Sequence, residues 1–276
     1  MPRKNDDLIS TPGITPFLKW AGGKRWLAPA CLELFPKNYG TYIEPFLGGG
    51  AMFFRLGPQK AILADMNREL IETYSAIAEN YESVHRRIRK YHDLHSDEHY
   101  YAIRAQNPRS RVDLAARFIY LNRTCWNGLY RVNRNGQFNV PIGTKSNVLL
   151  DTDDWPAVSD ALRRATLIAS DFEPVIDRAK KGDIVFADPP YTVKHNNNGF
   201  VKYNENIFAW QDQIRLRDAL LRAKKRGAHI FCTNADHASI KEIYEDAFTV
   251  TSIARGSVIS GKADGRGKTS ELLITA

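Results

Sequence analysis

The sequence is poor in cysteine and has no long apolar run. Its three cysteines, Cys31, Cys125 and Cys232, are scattered and odd in number. A disulfide framework is therefore not expected, and each reads as a buried or half-buried thiol of a reducing compartment. No stretch approaches the roughly 18 apolar residues that a membrane span needs. The opening MPRKNDDLIS is charged, but no apolar segment follows it, so it does not read as a secretory leader. Internal repeats and low-complexity tracts are missing as well, which leaves no ground for a fibrous or disordered chain. No cysteine pair accompanies the cluster of His92, His95 and His99. The cluster is read as a solvated helix face, and no metal site is expected. These absences together predict a cytoplasmic protein.

What is present is ordinary in amount: 276 residues, 43% hydrophobic and 25% charged. That is enough for one large α/β domain with a sizeable insertion, or for two unequal domains. The formal net charge of +8 and a pI near 9.3 favour a polyanionic partner, because each phosphate neutralised releases condensed counterions.

Seven short apolar, β-branched runs are bounded by turn residues: 41–44, 61–65, 165–169, 183–187, 229–232, 249–253 and 271–275. Consecutive apolar positions in such short runs predict strands buried on both faces, as in a parallel sheet covered by helices. Amphipathic segments at 216–226 and 239–246 precede two of them, so a doubly wound sheet is expected. The last two runs are joined by a glycine-rich stretch with no helical pattern. A hairpin is the simplest connection there, so the final strand should run antiparallel to its neighbour. Residues 66–154 break the alternation: the first half is helical and polar, and Tyr120 to Lys145 is rich in Arg, Asn, Gly and aromatics without a clear strand. It reads as an inserted, mostly helical subdomain with a loop-rich tip.

The first run leads into Pro45-Phe46-Leu47-Gly48-Gly49-Gly50. Glycines between a strand and a helix let the backbone turn sharply and approach a ligand, although a plain tight turn would look the same. The spacing is not that of the dinucleotide fingerprint. Asp65 ends the second run, where a carboxylate can accept from both ribose hydroxyls of a nucleoside. Asp171 follows the third, where it can take an adenine amino group, and Phe172 beside it can cover the ring. The fourth run ends in Asp188-Pro189-Pro190-Tyr191. Adenine N6 is a poor nucleophile because its lone pair is delocalised into the ring. The Asp188 carboxylate and the Pro189 carbonyl can each accept one N6 hydrogen, which draws the nitrogen toward tetrahedral geometry. Tyr191 can stack on a base that has left its duplex.

In this motif order the chain resembles the Dam-type (D12 class) DNA N6-adenine methyltransferases over nearly its whole length. Phe17-Leu18-Lys19-Trp20-Ala21-Gly22-Gly23-Lys24 matches the family's N-terminal signature, and Glu44 to Gly50 its glycine loop for S-adenosylmethionine. Asp65 stands at the ribose-binding strand end, Asp188 to Tyr191 at the catalytic motif, and Glu271-Leu272-Leu273 at the closing strand. The resemblance implies a seven-stranded, Rossmann-like α/β methyltransferase sheet with an inserted, mostly helical target-recognition subdomain. It divides the chain into a catalytic domain (1–65 and 160–276) and a recognition subdomain (66–159). It further implies that Trp20, Lys24, Glu44, Phe46 and Gly48 contact S-adenosylmethionine, with double-stranded DNA as partner and a monomeric, nucleoid-associated protein.

The stretch 121–143, LNRTCWNGLYRVNRNGQFNVPIG, resembles the hairpin with which the family enters the DNA groove. By that resemblance Trp126 and Asn127 wedge beside the base step, Leu129 and Arg131 read base edges with Pro141 nearby, and Lys19 is a further base contact. Arg suits guanine O6 and N7, and an apolar side chain suits the thymine methyl. Relatives with Leu and Arg at these places recognise GATC, which is the expected site. Thr124, Cys125 and Trp126 depart from the commoner Tyr-Gly-Tyr, which leaves the preference open to a shift. Lys262, Arg266 and Lys268 in the glycine-rich connection are read either as a phosphate clamp or as a solvated loop. The rival readings are transfer to another planar amine, and a regulatory DNA-binding subunit that keeps the fold without turnover.

Overall fold

The computed structural model describes residues 13–128, 130–133, 137–193, 208–256 and 268–276. Within these, the chain forms two compact units: one from residues 13–35, 48–59 and 67–167, the other from 36–47, 60–66 and 168–276.

The second unit carries most of a seven-stranded sheet: β1 (Tyr42–Glu44), β2 (Ala61–Asp65), β3 (Ala165–Ala169), β4 (Ile184–Ala187), β5 (His229–Ala235), β6 (Thr249–Gly256) and β7 (Lys268–Thr275). Their order is β3-β2-β1-β4-β5-β7-β6. Parallel pairing sets Ile43 beside Ile62 and Val185, and Val185 beside Ile230. β7 runs antiparallel to both its neighbours, with Ile274 beside Cys232 and Val250. This is the α/β sheet expected from the apolar runs, with the antiparallel last strand placed between β5 and β6. β1 and β4 are buried on both faces. β3 is not: it forms the sheet edge and is half-exposed, because only one of its sides has a partner strand. Helices α7 (Phe172–Ile176), α8 (Trp210–Lys225) and α9 (Ala238–Tyr244) supply the apolar cover, with Phe172, Leu216, Leu220 and Ile240 in one cluster with Ile43, Val185 and Ile230. Burying such a side chain stabilises by about 1.5–3 kcal/mol.

The first unit is helical: α1 (Ala28–Leu34), α2 (Ala51–Leu56), α3 (Arg68–Asp93), α4 (Asp97–Ala105), α5 (Arg111–Thr124) and α6 (Trp155–Arg163). Asn67 caps α3 by accepting from the Leu70 amide at 3.1 Å, and Ser110 caps α5 through the Asp113 amide at 3.1 Å. α3 kinks where Asn80 leaves helical geometry. α5 extends further than expected, through Tyr120-Leu121-Asn122-Arg123-Thr124, all buried. The histidine cluster also differs from the solvated face expected. His95 is hydrogen-bonded to the Tyr120 hydroxyl at 2.8 Å and His99 packs on Tyr91 and Tyr120, leaving only His92 exposed. Burial lowers the pKa of His95 and His99. Among the described residues no cluster of His, Cys, Asp or Glu is arranged to hold a metal ion, and no helix is long and apolar enough to cross a membrane. The three cysteines are buried.

Candidate active site and nucleic-acid interface

In the sheet unit, Glu44, Asp65, Asp171 and Asp188 lie at or just beyond the carboxyl ends of β1, β2, β3 and β4. Ligands of open α/β sheets bind at that edge. Glu44 is buried and accepts from the Tyr42 hydroxyl at 2.9 Å. Asp65 is half-exposed. Its carbonyl accepts from the Ser170 amide at 3.1 Å, which ties the β2 end to the residue before Asp171. Asp171 caps α7 through the Glu173 amide at 2.9 Å, and the same Oδ1 accepts from Arg215 at 2.9 Å. Phe172 is buried, stacked on Phe46 at 5.3 Å between centroids, with the Arg215 guanidinium 4.9 Å over its ring. Phe46 is half-exposed and offers the more open face of that pair.

The turn after β4 is held at both ends. The Thr233 hydroxyl on β5 donates to Asp188 Oδ1 at 2.6 Å, and the Tyr191 hydroxyl donates to Glu271 Oε2 on β7 at 2.8 Å. Burial, with Asp188 and Glu271 close by, pushes the Tyr191 phenol well above its ordinary 10.0, so it remains a donor. Neither Thr233 nor this use of Glu271 is evident from sequence, because both depend on the register of the antiparallel strand.

The helical unit holds the N-terminal signature and the glycine loop. Gly48 lies at φ +47°, and a Cβ there would come within 2.7 Å of the Trp20 indole. The ring therefore rests on bare backbone, which requires glycine. The Tyr74 hydroxyl donates to the Gly48 carbonyl at 2.9 Å and fixes the loop from the other side. Lys24 is buried and its ammonium donates to the Gly22 carbonyl at 2.9 Å. Within this unit the glycine backbone, the Trp20 ring and the Lys24 ammonium lie on one N-terminal segment and one loop.

Residues 124–128 and 130–133 pair with 137–143 as a hairpin. The Trp126 amide donates to Pro141 at 2.9 Å, Gly143 to Thr124 at 2.7 Å, and Asn133 to Gln137 at 2.8 Å. Isolated bridges join Cys125 to Ile142 and Val132 to Phe138. Trp126, Asn127, Arg131 and Pro141 are exposed along it; Leu129 lies outside the described residues, as do Lys262 and Arg266. Asn127 has positive φ, 54°, a conformation that Asn tolerates better than most residues. At its base, Asn122 makes a reciprocal pair with Lys19, accepting from the Lys19 amide at 2.9 Å and donating to its carbonyl at 2.7 Å. The Lys19 ammonium donates to the Arg123 carbonyl at 3.2 Å, and burial lowers its pKa. Tyr130 stacks on Phe118 at 4.1 Å and packs on Phe138, and its hydroxyl donates to Glu69 on α3.

Comparison with known proteins shows the family. The family model for D12 class N6 adenine-specific DNA methyltransferases matches residues 20–259. The type II methyltransferase M1.LlaDCHI of Lactococcus lactis subsp. cremoris is 35% identical over 271 residues, 95% of each chain. The type II methyltransferase M.MjaIII of Methanocaldococcus jannaschii is 33% identical, covering 92% of this chain and 95% of its own. A DNA adenine methylase of Haemophilus influenzae is 32% identical, covering 94% and 92% respectively.

Proposed function

We infer the target and the division of labour from one premise: this chain belongs to the D12 class of N6 adenine-specific DNA methyltransferases, with S-adenosylmethionine as methyl donor. The cofactor supplies the methyl as an electrophile on a cationic sulfur. Trp20, Lys24, Glu44, Phe46, Gly48, Asp65, Asp171 and Phe172 bind it. In this reading the Asp65 carboxylate takes the ribose hydroxyls, and the Phe46–Phe172 pair lines the adenine side.

The substrate adenine leaves the duplex and stacks on Tyr191. Asp188 and the Pro189 carbonyl each accept one N6 hydrogen and orient the nitrogen lone pair. The observation that carries this reading is the Asp188 turn, whose carboxylate and tyrosine are both fixed by neighbouring strands. Asp188 acts as an acceptor and not as a strong base, since an ordinary carboxylate near pKa 4 is far too acidic to deprotonate a neutral amine.

The recognised sequence is GATC. Arg131 and Leu129 read base edges from the hairpin, Trp126 and Asn127 wedge beside the vacated base, and Lys19 and Pro141 complete the contact. Residues 66–159 serve recognition, and 1–65 with 160–276 serve catalysis, in a monomer that works in the cytoplasm at the nucleoid. Lys262, Arg266 and Lys268 clamp phosphates. Labelled methyl transfer to a duplex with one GATC, beside duplexes changed at one base each, tests the specificity. Label on the GATC adenine alone is expected. Equal rates on duplexes altered at the outer G would overturn GATC while leaving adenine methylation intact.

A further inference from the structure

We propose that Thr233 and Glu271 are positioning residues for methyl transfer, a pair of strand-borne groups that set the Asp188 carboxylate and the Tyr191 ring for the target adenine. The proposal rests on the roles given above to Asp188 and Tyr191. Ala235 lies opposite Glu271 and Thr233 opposite Leu273 in the β5–β7 ladder. Residues two apart on a strand share a face, so Thr233 and Glu271 project from the same face as diagonal neighbours. Both are buried, at 0% and 5% exposure. A buried hydroxyl and a buried carboxylate are costly unless hydrogen-bonded. Here the contacts go to the two functional ends of one four-residue turn: Thr233 to Asp188 Oδ1 at 2.6 Å and Glu271 to the Tyr191 hydroxyl at 2.8 Å.

A third contact holds the residue that follows. Gln213, fully buried on α8, donates to the Thr192 carbonyl at 3.3 Å and accepts from Asn234 on β5 at 2.9 Å. The Thr192 hydroxyl in turn donates to the Phe208 carbonyl at 2.6 Å. The Pro189-Pro190 peptide stiffens the backbone of the turn, but it does not set the side-chain torsions of Asp188 or Tyr191. Those are set by β5 and β7. Activating N6 depends on the angle at which its two hydrogens meet their acceptors, so a carboxylate free to rotate would lose that aim. A misplacement of about 1 Å can cost on the order of 100-fold in rate.

The test is single-turnover methyl transfer, with the affinities for S-adenosylmethionine and for duplex DNA measured alongside. Thr233→Val keeps shape and removes the hydroxyl; it should slow transfer by about 10- to 100-fold while both affinities stay within about threefold. Thr233→Ser restores the donor and should recover the rate to within about threefold, which a merely structural role for the buried position would not produce. Glu271→Gln should slow the wild-type enzyme but add little to Tyr191→Phe, in which the bond is already gone. Transfer at the normal rate in Thr233→Val, no recovery in Thr233→Ser, or a fully additive double variant overturns the proposal. Asp188→Ala separates the two levels. If it still methylates, the reading of the site is wrong; if it is inactive while Thr233→Val runs at full speed, only the positioning role is wrong.

Discussion

Arg123 is buried with no exposed side-chain surface, and all five of its guanidinium hydrogens have acceptors. They reach both oxygens of Asp153 at 2.6 and 2.7 Å, the Phe17 carbonyl at 3.2 and 2.9 Å, and the Val148 carbonyl at 2.6 Å. One side chain thus joins the N-terminal signature, the end of α5 and the segment before α6. Arg123→Met removes the cation and leaves Asp153 buried without it, so stability should fall by about 3–5 kcal/mol. The urea midpoint measures this. Arg123→Lys should not restore it, because an ammonium has three donors and no planar fork. A loss below about 1 kcal/mol would mean that the network does not anchor the unit. The residue lies in a stretch legible in sequence only as an Arg- and Asn-rich loop. Its partners at positions 17, 148 and 153 are set by tertiary contacts, which local pattern does not encode.

Among the elements, the hairpin that carries Trp126 and Arg131 is anchored by Tyr130, whose ring packs between Phe118 and Phe138 and whose hydroxyl reaches Glu69. Tyr130→Phe keeps the packing and loses one hydrogen bond to a charged acceptor, worth about 1.5–3 kcal/mol. The hairpin should loosen and cognate-duplex affinity should fall by up to about 10-fold, with S-adenosylmethionine affinity unchanged. Fluorescence anisotropy on one labelled duplex would measure it, and unchanged affinity would separate hairpin anchoring from DNA binding. The seven strands were readable because each apolar run satisfies a period that only a covered sheet rewards. The partial exposure of β3 was not, because an edge strand and a central one share composition and differ only in neighbours. The ends of the turn at Asp188 and Tyr191 could be named from motif, but the groups that hold them could not, since a one-residue slip in β7 would send Glu271 to the opposite face.

The whole molecule carries a net charge of +8, with Lys19 and Arg131 on the unit that bears the hairpin. Binding to a duplex without the recognition site should therefore be strongly salt-dependent. A slope equivalent to about four neutralised phosphates gives a loss of roughly 100-fold between 50 and 200 mM salt. A flat dependence in a titration across that range would mean that the basic surplus is spent elsewhere.

The strand order has a different consequence, one of time. β7 is the seventh strand in the chain but lies sixth across the sheet, between β5 and β6. A ribosome delivers Asp188, Tyr191 and Thr233 well before Glu271, so a nascent chain carries this turn with the Tyr191 hydroxyl still lacking its Glu271 acceptor. β6 pairs only with β7 in the sheet, so its ladder too depends on the later strand. The hydrogen bond between Tyr191 and Glu271 therefore closes only when the seventh strand is laid beside the fifth.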